Sequence, residues 1–251
     1  DKSGQQILLV LVNIVLTRNL APDVFGLIAP LAIFTGFANV LAEGGLSAAL
    51  IRKTDATQRD YNTMFWFNFG VGLVLYAILY AISPWIASFH HSPELSLIAR
   101  VQFSSVIFYS IGSIQSASLI KRSDFKRLGI ANVGSILAAG TLALILLLNG
   151  AGVWAIVALQ TGQAVIRMLL LWILSRWIPR FQYSWKSLRS MLGFSARLLL
   201  GALATNISLH FYAFILGEYV PRNVVGFYER AQTIKEKGVG FLNYTFGTSI
   251  Y

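Results

Sequence analysis

Apolar runs long enough to cross a lipid bilayer constrain the fold of this sequence more than any other feature. A transmembrane helix needs about 20 mostly apolar residues, whereas a strand of a membrane barrel needs about 10. Most of the runs have the helical length, and they lack the two-residue alternation of a barrel; they cover 5–16, 25–51, 62–89, 95–120, 128–148, 153–174 and 192–216, with an eighth starting near Val225. Because backbone groups in lipid must bond within their own segment, the sequence predicts an all-α transmembrane fold.

The composition agrees with a bilayer as the main partner of the chain. Apolar residues make up 56% of the sequence and charged residues 12%, against about 45–50% and 25% in soluble domains. Cysteine is absent, which excludes disulfides and Cys-ligated zinc. The chain starts next to one apolar run and stops inside another, so we expect an N-terminal fragment of a longer protein.

Basic residues alternate between the loops and predict the orientation of the chain. Three loops carry most of them: Arg52, Lys53, Arg59, Lys121, Arg122, Lys126, Arg127, Arg176, Arg180, Lys186 and Arg189. The intervening loops at 90–93 and 149–152 carry none. Because basic residues are retained in the cytoplasm, the three loops and the N-terminus are predicted to be cytoplasmic. This pattern accounts for most of the net charge of +10 without a nucleic-acid partner.

Local signals mark several helix starts and one internal similarity. Thr57 and Asp60 have the spacing of a capping box, and Ser123 and Ser184 are candidate caps for later helices. The stretches 20–27 and 219–227 share a proline four or five residues before a glycine that has an aromatic neighbour. We interpret both as loops on the outer side, produced either by a repeat of six spans or by chance.

Several stretches resemble one family of exporters. They read Leu-Ala-Pro-Asp-Val-Phe-Gly at 20–26, Phe-Thr-Gly-Phe-Ala at 34–38, Glu-Gly-Gly-Leu-Ser-Ala-Ala-Leu-Ile at 43–51, Gly-Ala-Gly-Val-Trp-Ala at 150–155 and Gly-Phe-Tyr-Glu-Arg-Ala at 226–231. The chain resembles the polysaccharide and O-antigen flippases of the multidrug/oligosaccharidyl-lipid/polysaccharide superfamily. The resemblance implies a MATE-like helical bundle, with a first six-helix lobe at 1–180 and the start of a second lobe at 181–251.

The same resemblance implies a function. A flippase of this family would move a lipid-linked oligosaccharide of the polyprenyl-pyrophosphate type from the cytoplasmic to the outer leaflet of the bacterial inner membrane. Other polysaccharide-assembly proteins are then expected partners, and neither catalysis nor a cofactor is expected. Two alternatives stay open: a MATE-type drug/cation antiporter, and a non-transport membrane protein such as a polymerase or a scaffold.

Ionisable residues inside the spans are the first candidates for function, because a charge at the centre of a bilayer costs about 2.5–3.5 kcal/mol or more. Arg167 and Arg197 are candidates for the substrate cavity, and Glu43 is a candidate for ion coupling. The competing interpretation is that the arginines reach the headgroups and that Glu43 is an interfacial acid.

Polar residues supply the other candidates. Asn206 and His210 share one face of the seventh span, either as a wall of the cavity or as helix-packing residues. The resemblance adds Asn13 and Lys235 to the cavity candidates. It ranks these two, together with Asn206, His210 and Glu43, above a polar stripe on the fourth span, which comprises Gln102, Ser105, Tyr109, Ser113 and Ser116. No metal site is predicted, since His90 and His91 form an incomplete ligand set.

Overall fold

The computed structural model describes residues 2–43, 46–232 and Lys235. Its helices are α1 (Lys2–Asn19), α2 (Pro22–Ile28), α3 (Leu31–Glu43), α4 (Leu46–Arg52), α5 (Gln58–Phe89), α6 (Glu94–Phe103), α7 (Ser105–Lys121), α8 (Phe125–Leu148), α9 (Val153–Ser175) and α10 (Trp185–Tyr219). A further helical stretch covers 222–232. Within the described residues, five helical stretches are long and apolar enough to cross a membrane, or seven if each of two bent pairs is one span. The predicted all-α transmembrane fold is confirmed.

The proline-containing stretches that we predicted to be loops are helices. Pro22 occupies the first turn of α2, where a proline loses no helical hydrogen bond, and Asp23 follows it at the positive end of the helix dipole. The axis of α2 is bent by 118° from that of α1. The second stretch behaves in the same way, because 222–232 begins directly after Pro221.

Most of the predicted caps are present. Thr57 Oγ1 accepts a hydrogen bond from the Asp60 N–H, and the Asp60 carboxylate accepts one from the Thr57 N–H, which completes the capping box of α5. Ser184 accepts from the Ser187 N–H at the start of α10. The prediction for α8 was wrong by one residue: Asp124 is its cap, and Ser123 takes a left-handed backbone conformation with φ of 55°.

Small and polar side chains hold the helices together. The buried Asn68 of α5 donates to Ser113 Oγ of α7 over 2.9 Å. A Cβ atom at Gly72 would lie 2.7 Å from the Cβ of Ser110, so the same two helices approach closely at this glycine. Large apolar side chains instead cover the outer surface, where Leu148 is 87% exposed. This arrangement is typical of helices in lipid, where close contacts and hydrogen bonds replace the hydrophobic effect as the force between helices.

The two ends of the bundle differ in charge. At the first end, Lys121 of α7 donates to the carbonyls of Leu50 and Lys53, so the loops 53–57 and 122–124 lie close together. The segment 176–184 lies at the same end, where it is bound to α5. We call this the basic end. At the opposite end, which we call the neutral end, the α1–α2 corner and the turn 90–93 meet the helix 222–232. The basic loops predicted to share one side therefore share one end of the bundle.

Candidate functional site

A cavity of about 440 Å³ lies toward the basic end, between α10 and the preceding helices. Helices α3, α4, α7 and α9 form one wall, and α10 forms the other. Its polar lining comes from one arginine and three serines, Arg167, Ser47, Ser113 and Ser116. Leu198, Leu199 and Ala202 make the wall on α10 apolar. Such a volume is typical of ligand cavities, which span about 300–1,000 Å³.

Arg167 is the charged group in the described lining of this cavity. Its Nε donates to Asn132 Oδ1 of α8 over 2.8 Å, which fixes the orientation of the guanidinium group. The two terminal nitrogens make no hydrogen bond with any residue that the structure describes, so they can bind an anion. A planar guanidinium presents paired N–H groups that match phosphate oxygens. The cavity therefore combines an oriented cation with hydroxyl groups and apolar surface.

The cavity ends where α10 crosses α3. Asn206 of α10 is 9% exposed and lies directly over Gly36, where a Cβ atom would overlap the Asn206 amide nitrogen and approach its Cγ to 3.0 Å. Gly36 and Asn206 thus allow the two helices to meet with little space between them. Asn206, which was predicted either to line the cavity or to pack between helices, lies at this crossing.

The two proline-containing helices cross each other at the neutral end. A Cβ atom at Gly26 of α2 would overlap the carbonyl oxygen of Arg222. The reverse also holds, since a Cβ at Gly226 would overlap the carbonyl oxygen of Pro22 and lie 3.2 Å from the Gly26 nitrogen. The contact is reciprocal, and both positions require the smallest residue. The similarity between 20–27 and 219–227 therefore corresponds to two helices that touch through equivalent glycines.

Two arginines bind the helix 222–232 to its neighbours at this end. Arg230 donates to the Leu20 carbonyl over 2.5 Å, at the negative end of α1, and lies 4.7 Å from the centre of the Phe25 ring. Arg222 donates to Ser92 Oγ and forms an ion pair of 3.5 Å with Glu94. The neutral end is closed by these contacts together with the crossing of the two glycines.

The segment 176–184, which joins α9 to α10, is attached to α5. The buried Asn62 accepts from the Arg180 N–H over 3.0 Å and donates to Gln182 Oε1 over 3.2 Å. Trp66 Nε1 donates to the Arg180 carbonyl, and the Ser184 N–H donates to Thr63 Oγ1. These bonds hold the covalent connection to α10 in one place.

A second, smaller cavity of about 280 Å³ contains Asn13, one of the residues predicted for the substrate cavity. Its other polar lining residues are Thr35, Gln102, Gln160 and Glu229, and we call it the polar chamber. Sequence reasoning missed Gln160 and Glu229, and it ranked Gln102 low. The polar stripe on the fourth span was the available signal, because it supplies Gln102 to the chamber and Ser113 and Ser116 to the larger cavity.

The remaining predicted site residues are only partly described. The side chains of Glu43, Arg197 and His210 lie outside the described part of the structure. Lys235 is helical and exposed, but most residues around it are likewise not described. Within the described residues, no group of three or more His, Asp or Glu side chains is arranged to hold a metal ion.

Long apolar helices, small-residue crossings and a cavity among the spans define a multi-pass membrane protein. A sequence profile of the family described as polysaccharide biosynthesis protein matches residues 15–247. The chain belongs to this family. No solved structure matches the chain.

Three relatives show where the similarity lies. The chain is 28% identical over 206 residues to the teichuronic acid biosynthesis protein TuaB of Bacillus subtilis, which covers 80% of this chain and 42% of the relative. It is 23% identical over 245 residues to the succinoglycan biosynthesis transport protein ExoT of Rhizobium meliloti, covering 94% and 50%. It is 22% identical over 227 residues to the lipopolysaccharide biosynthesis protein WzxC of Escherichia coli, covering 88% and 45%. The chain thus spans half or less of the length of each of these relatives.

Proposed function

We propose that this chain is part of a flippase that moves a lipid-linked oligosaccharide across the bacterial inner membrane. The observation that carries the proposal is the cavity toward the basic end, where Arg167 is oriented by Asn132 and faces hydroxyl groups. A polyprenyl-pyrophosphate carrier has an anionic head that a guanidinium binds well. The names of the relatives, which include a transport protein of succinoglycan biosynthesis, support the same class of substrate.

The proposal assigns the basic end to the cytoplasm and the N-terminus with it. Basic loops are retained on the cytoplasmic side of bacterial membranes. Residues 1–180 would form the first lobe of a MATE-like bundle, and residues 181–251 would begin the second. The cavity lies between these two parts, so substrate would enter it from the cytoplasmic leaflet while the contacts at the neutral end keep the outer side closed. Export then follows when the two parts rock against each other and the closed end opens.

The described lining favours an anionic cargo over a cationic one. A drug/cation antiporter would need acidic groups to neutralise its cargo, whereas no acidic residue is among the described residues that line this cavity. A polymerase or scaffold would need no such cavity. Neither an antiporter nor a polymerase or scaffold would use Arg167 to move a lipid-linked sugar.

Substitution of Arg167 in the full-length protein tests the proposal. We expect Arg167→Ala to lower transport of a lipid-linked oligosaccharide in reconstituted vesicles by about 10- to 100-fold, since a hydrogen bond to a charged group contributes about 1.5–3 kcal/mol. Arg167→Lys should retain part of the activity, because the positive charge remains while the paired geometry is lost.

Arg189→Ala is the matched control, since it removes an arginine from the exposed surface of α10 near the basic end. Equal transport by the Arg167 and Arg189 variants, at equal protein levels, would remove Arg167 from the mechanism. Vesicles with wild-type protein that move a cationic dye but no lipid-linked oligosaccharide would favour the antiporter. Vesicles that move neither would favour the polymerase or scaffold.

A further inference from the structure

Two polar side chains of the chamber, Asn13 and Thr35, present oxygen atoms rather than donor groups to its interior. Asn13 uses its amide nitrogen to donate to the Leu9 carbonyl over 2.6 Å, which leaves its amide oxygen for the chamber. Thr35 uses its hydroxyl proton to donate to the Leu31 carbonyl over 2.9 Å. Both bonds remain within a single helix. The oxygen atoms of these two side chains are therefore available to an occupant.

Gln102 adds the clearest indication that the chamber takes a ligand. Its side chain is 2% exposed, and its Nε2 donates to Gln160 Oε1 over 2.9 Å. Its Oε1 has no hydrogen-bond partner among the residues that the structure describes. A buried oxygen without a partner costs about 1–3 kcal/mol, so an occupant that satisfies it would bind favourably.

The chamber also contains one carboxylate, from Glu229 on the helix 222–232. The neighbouring Arg230 directs its guanidinium toward the Leu20 carbonyl and the Phe25 ring. Acidic groups within membrane segments commonly mark the path of an ion. One carboxylate with neutral amide and hydroxyl oxygens suits a singly charged ion better than Ca²⁺, which takes 6–8 oxygen ligands and binds tightly through several carboxylates.

We propose that the polar chamber is a binding site for a monovalent alkali cation, with Asn13, Thr35, Gln102 and Glu229 as oxygen ligands. The ligands come from two parts of the molecule: the first three lie on α1, α3 and α6, and Glu229 lies on the helix 222–232. A cation in the chamber therefore stabilises the contact between these parts. Binding and closure of the neutral end strengthen each other, since a ligand favours the state that binds it better.

The site itself does not depend on the proposed flippase activity, although its use in driving export does. The test is therefore made without any lipid-linked substrate. The full-length protein, purified in detergent, is titrated with NaCl while total ionic strength is held constant with choline chloride. Binding is followed with radioactive Na⁺ and with the thermal unfolding of the protein, monitored by fluorescence of the six tryptophans of this chain.

We expect saturable Na⁺ binding and a rise of the unfolding temperature in the wild type. Glu229→Gln should lower the affinity for Na⁺ by tenfold or more. The matched control is Asp55→Asn, which removes an exposed carboxylate from the loop 53–57 at the basic end and should bind Na⁺ as the wild type does. Equal Na⁺ binding by the Glu229 and Asp55 variants would overturn the site, as would a response to choline equal to the response to Na⁺.

A charge relocation keeps the test decisive if Glu229→Gln folds poorly. Gln102→Glu places a carboxylate of nearly the same shape in the chamber, and the Gln160 amide can turn to donate to it. We expect Gln102→Glu to bind Na⁺ more tightly than the wild type, and the double variant with Glu229→Gln to regain binding. Weaker binding in Gln102→Glu would contradict a cation site. A stabilisation of the wild type that depends on pH and not on Na⁺ would show that the chamber takes a proton, which also overturns the proposal.

Discussion

The basic end and the neutral end of the molecule join the same parts of the chain in different ways. Toward the basic end, α10 and the facing helices α3, α4 and α7 line a cavity of about 440 Å³. At the neutral end, the helix 222–232 meets α2 so closely that neither Gly26 nor Gly226 has room for a Cβ atom. The described state is therefore closed at one end by backbone contact and contains a cavity toward the other. A transporter that alternates must reverse this asymmetry.

The largest effect is expected from locking the closed end. Ala29 and Val225 are both buried and belong to one contact cluster at the crossing of the two helices. This chain lacks cysteine, so Ala29→Cys and Val225→Cys can be combined and cross-linked without a native thiol in this part of the protein. We expect cross-linking to abolish transport by the full-length protein and reduction to restore it, because the neutral end can no longer open. Each single variant serves as the control, and undiminished transport after complete cross-linking would show that this end does not open.

The next effect follows from breaking the crossing itself. Gly226→Leu should lower the cross-linking yield of the Ala29/Val225 cysteine pair by roughly 10- to 100-fold, since overpacking of this kind costs about 1–3 kcal/mol. Gly70→Leu is the control, because a side chain at Gly70 would meet no atom within 4 Å. Equal yields in both variants would mean that the helices separate readily and that the crossing is not the closing contact.

A smaller effect is expected where the segment 176–184 is attached to α5. Asn62→Ala removes two hydrogen bonds, and we expect the free energy of unfolding to fall by about 1–3 kcal/mol. Trypsin should then cut faster at Arg176 and Arg180, which limited proteolysis of the membrane-embedded protein measures. Asn149→Ala is the control, since Asn149 is exposed and its side chain bonds, within the described part of the chain, to the Ile145 carbonyl of α8. Unchanged cleavage would show that other contacts fix this segment, for example the burial of Trp177.

The smallest effect belongs to the ion pair between Arg222 and Glu94, whose side chains are 44% and 60% exposed. Exposed pairs contribute about 0.2–1 kcal/mol and are screened by salt. We expect Glu94→Gln to change the yield of the Ala29/Val225 cross-link by less than about fivefold, and the difference to vanish at high ionic strength. A larger change that persists in salt would show that this ion pair, rather than the glycine crossing, closes the neutral end.

Much of the fold follows from the sequence because the bilayer leaves few choices. A long apolar run in lipid must be helical, and the local chemistry of Thr57 and Ser184 predicts two of the helix starts. The breaks between the helices were harder to predict. Nothing in the apolar run around Ser104 marks the point where α6 ends and α7 begins, since such a break depends on the neighbouring helices. The stretch 20–27 was misassigned for a related reason: its proline and glycine are typical of loops, and only the crossing partner explains them in a helix.

The candidate site was less accessible from the sequence. Arg167 could be identified as a charge within a span, but its orientation depends on Asn132, a residue on another helix. The polar chamber depends even more on tertiary structure, because Asn13, Gln102 and Glu229 come from three distant segments. A single sequence gives no indication of which polar residues on different spans face each other. These groups of residues can be recognised only in the three-dimensional arrangement of the helices.

The reciprocal glycine contact has the form of an interface between two identical subunits. In a symmetric dimer one patch of surface meets its own copy, and a single substitution alters both halves at once. Here both patches lie in one chain and are encoded separately. Gly26 and Gly226 have equivalent roles, while their surroundings differ: Asp23 and Phe25 lie on one side, and Asn223 and Arg230 lie on the other. The two halves of the closing contact can therefore change independently.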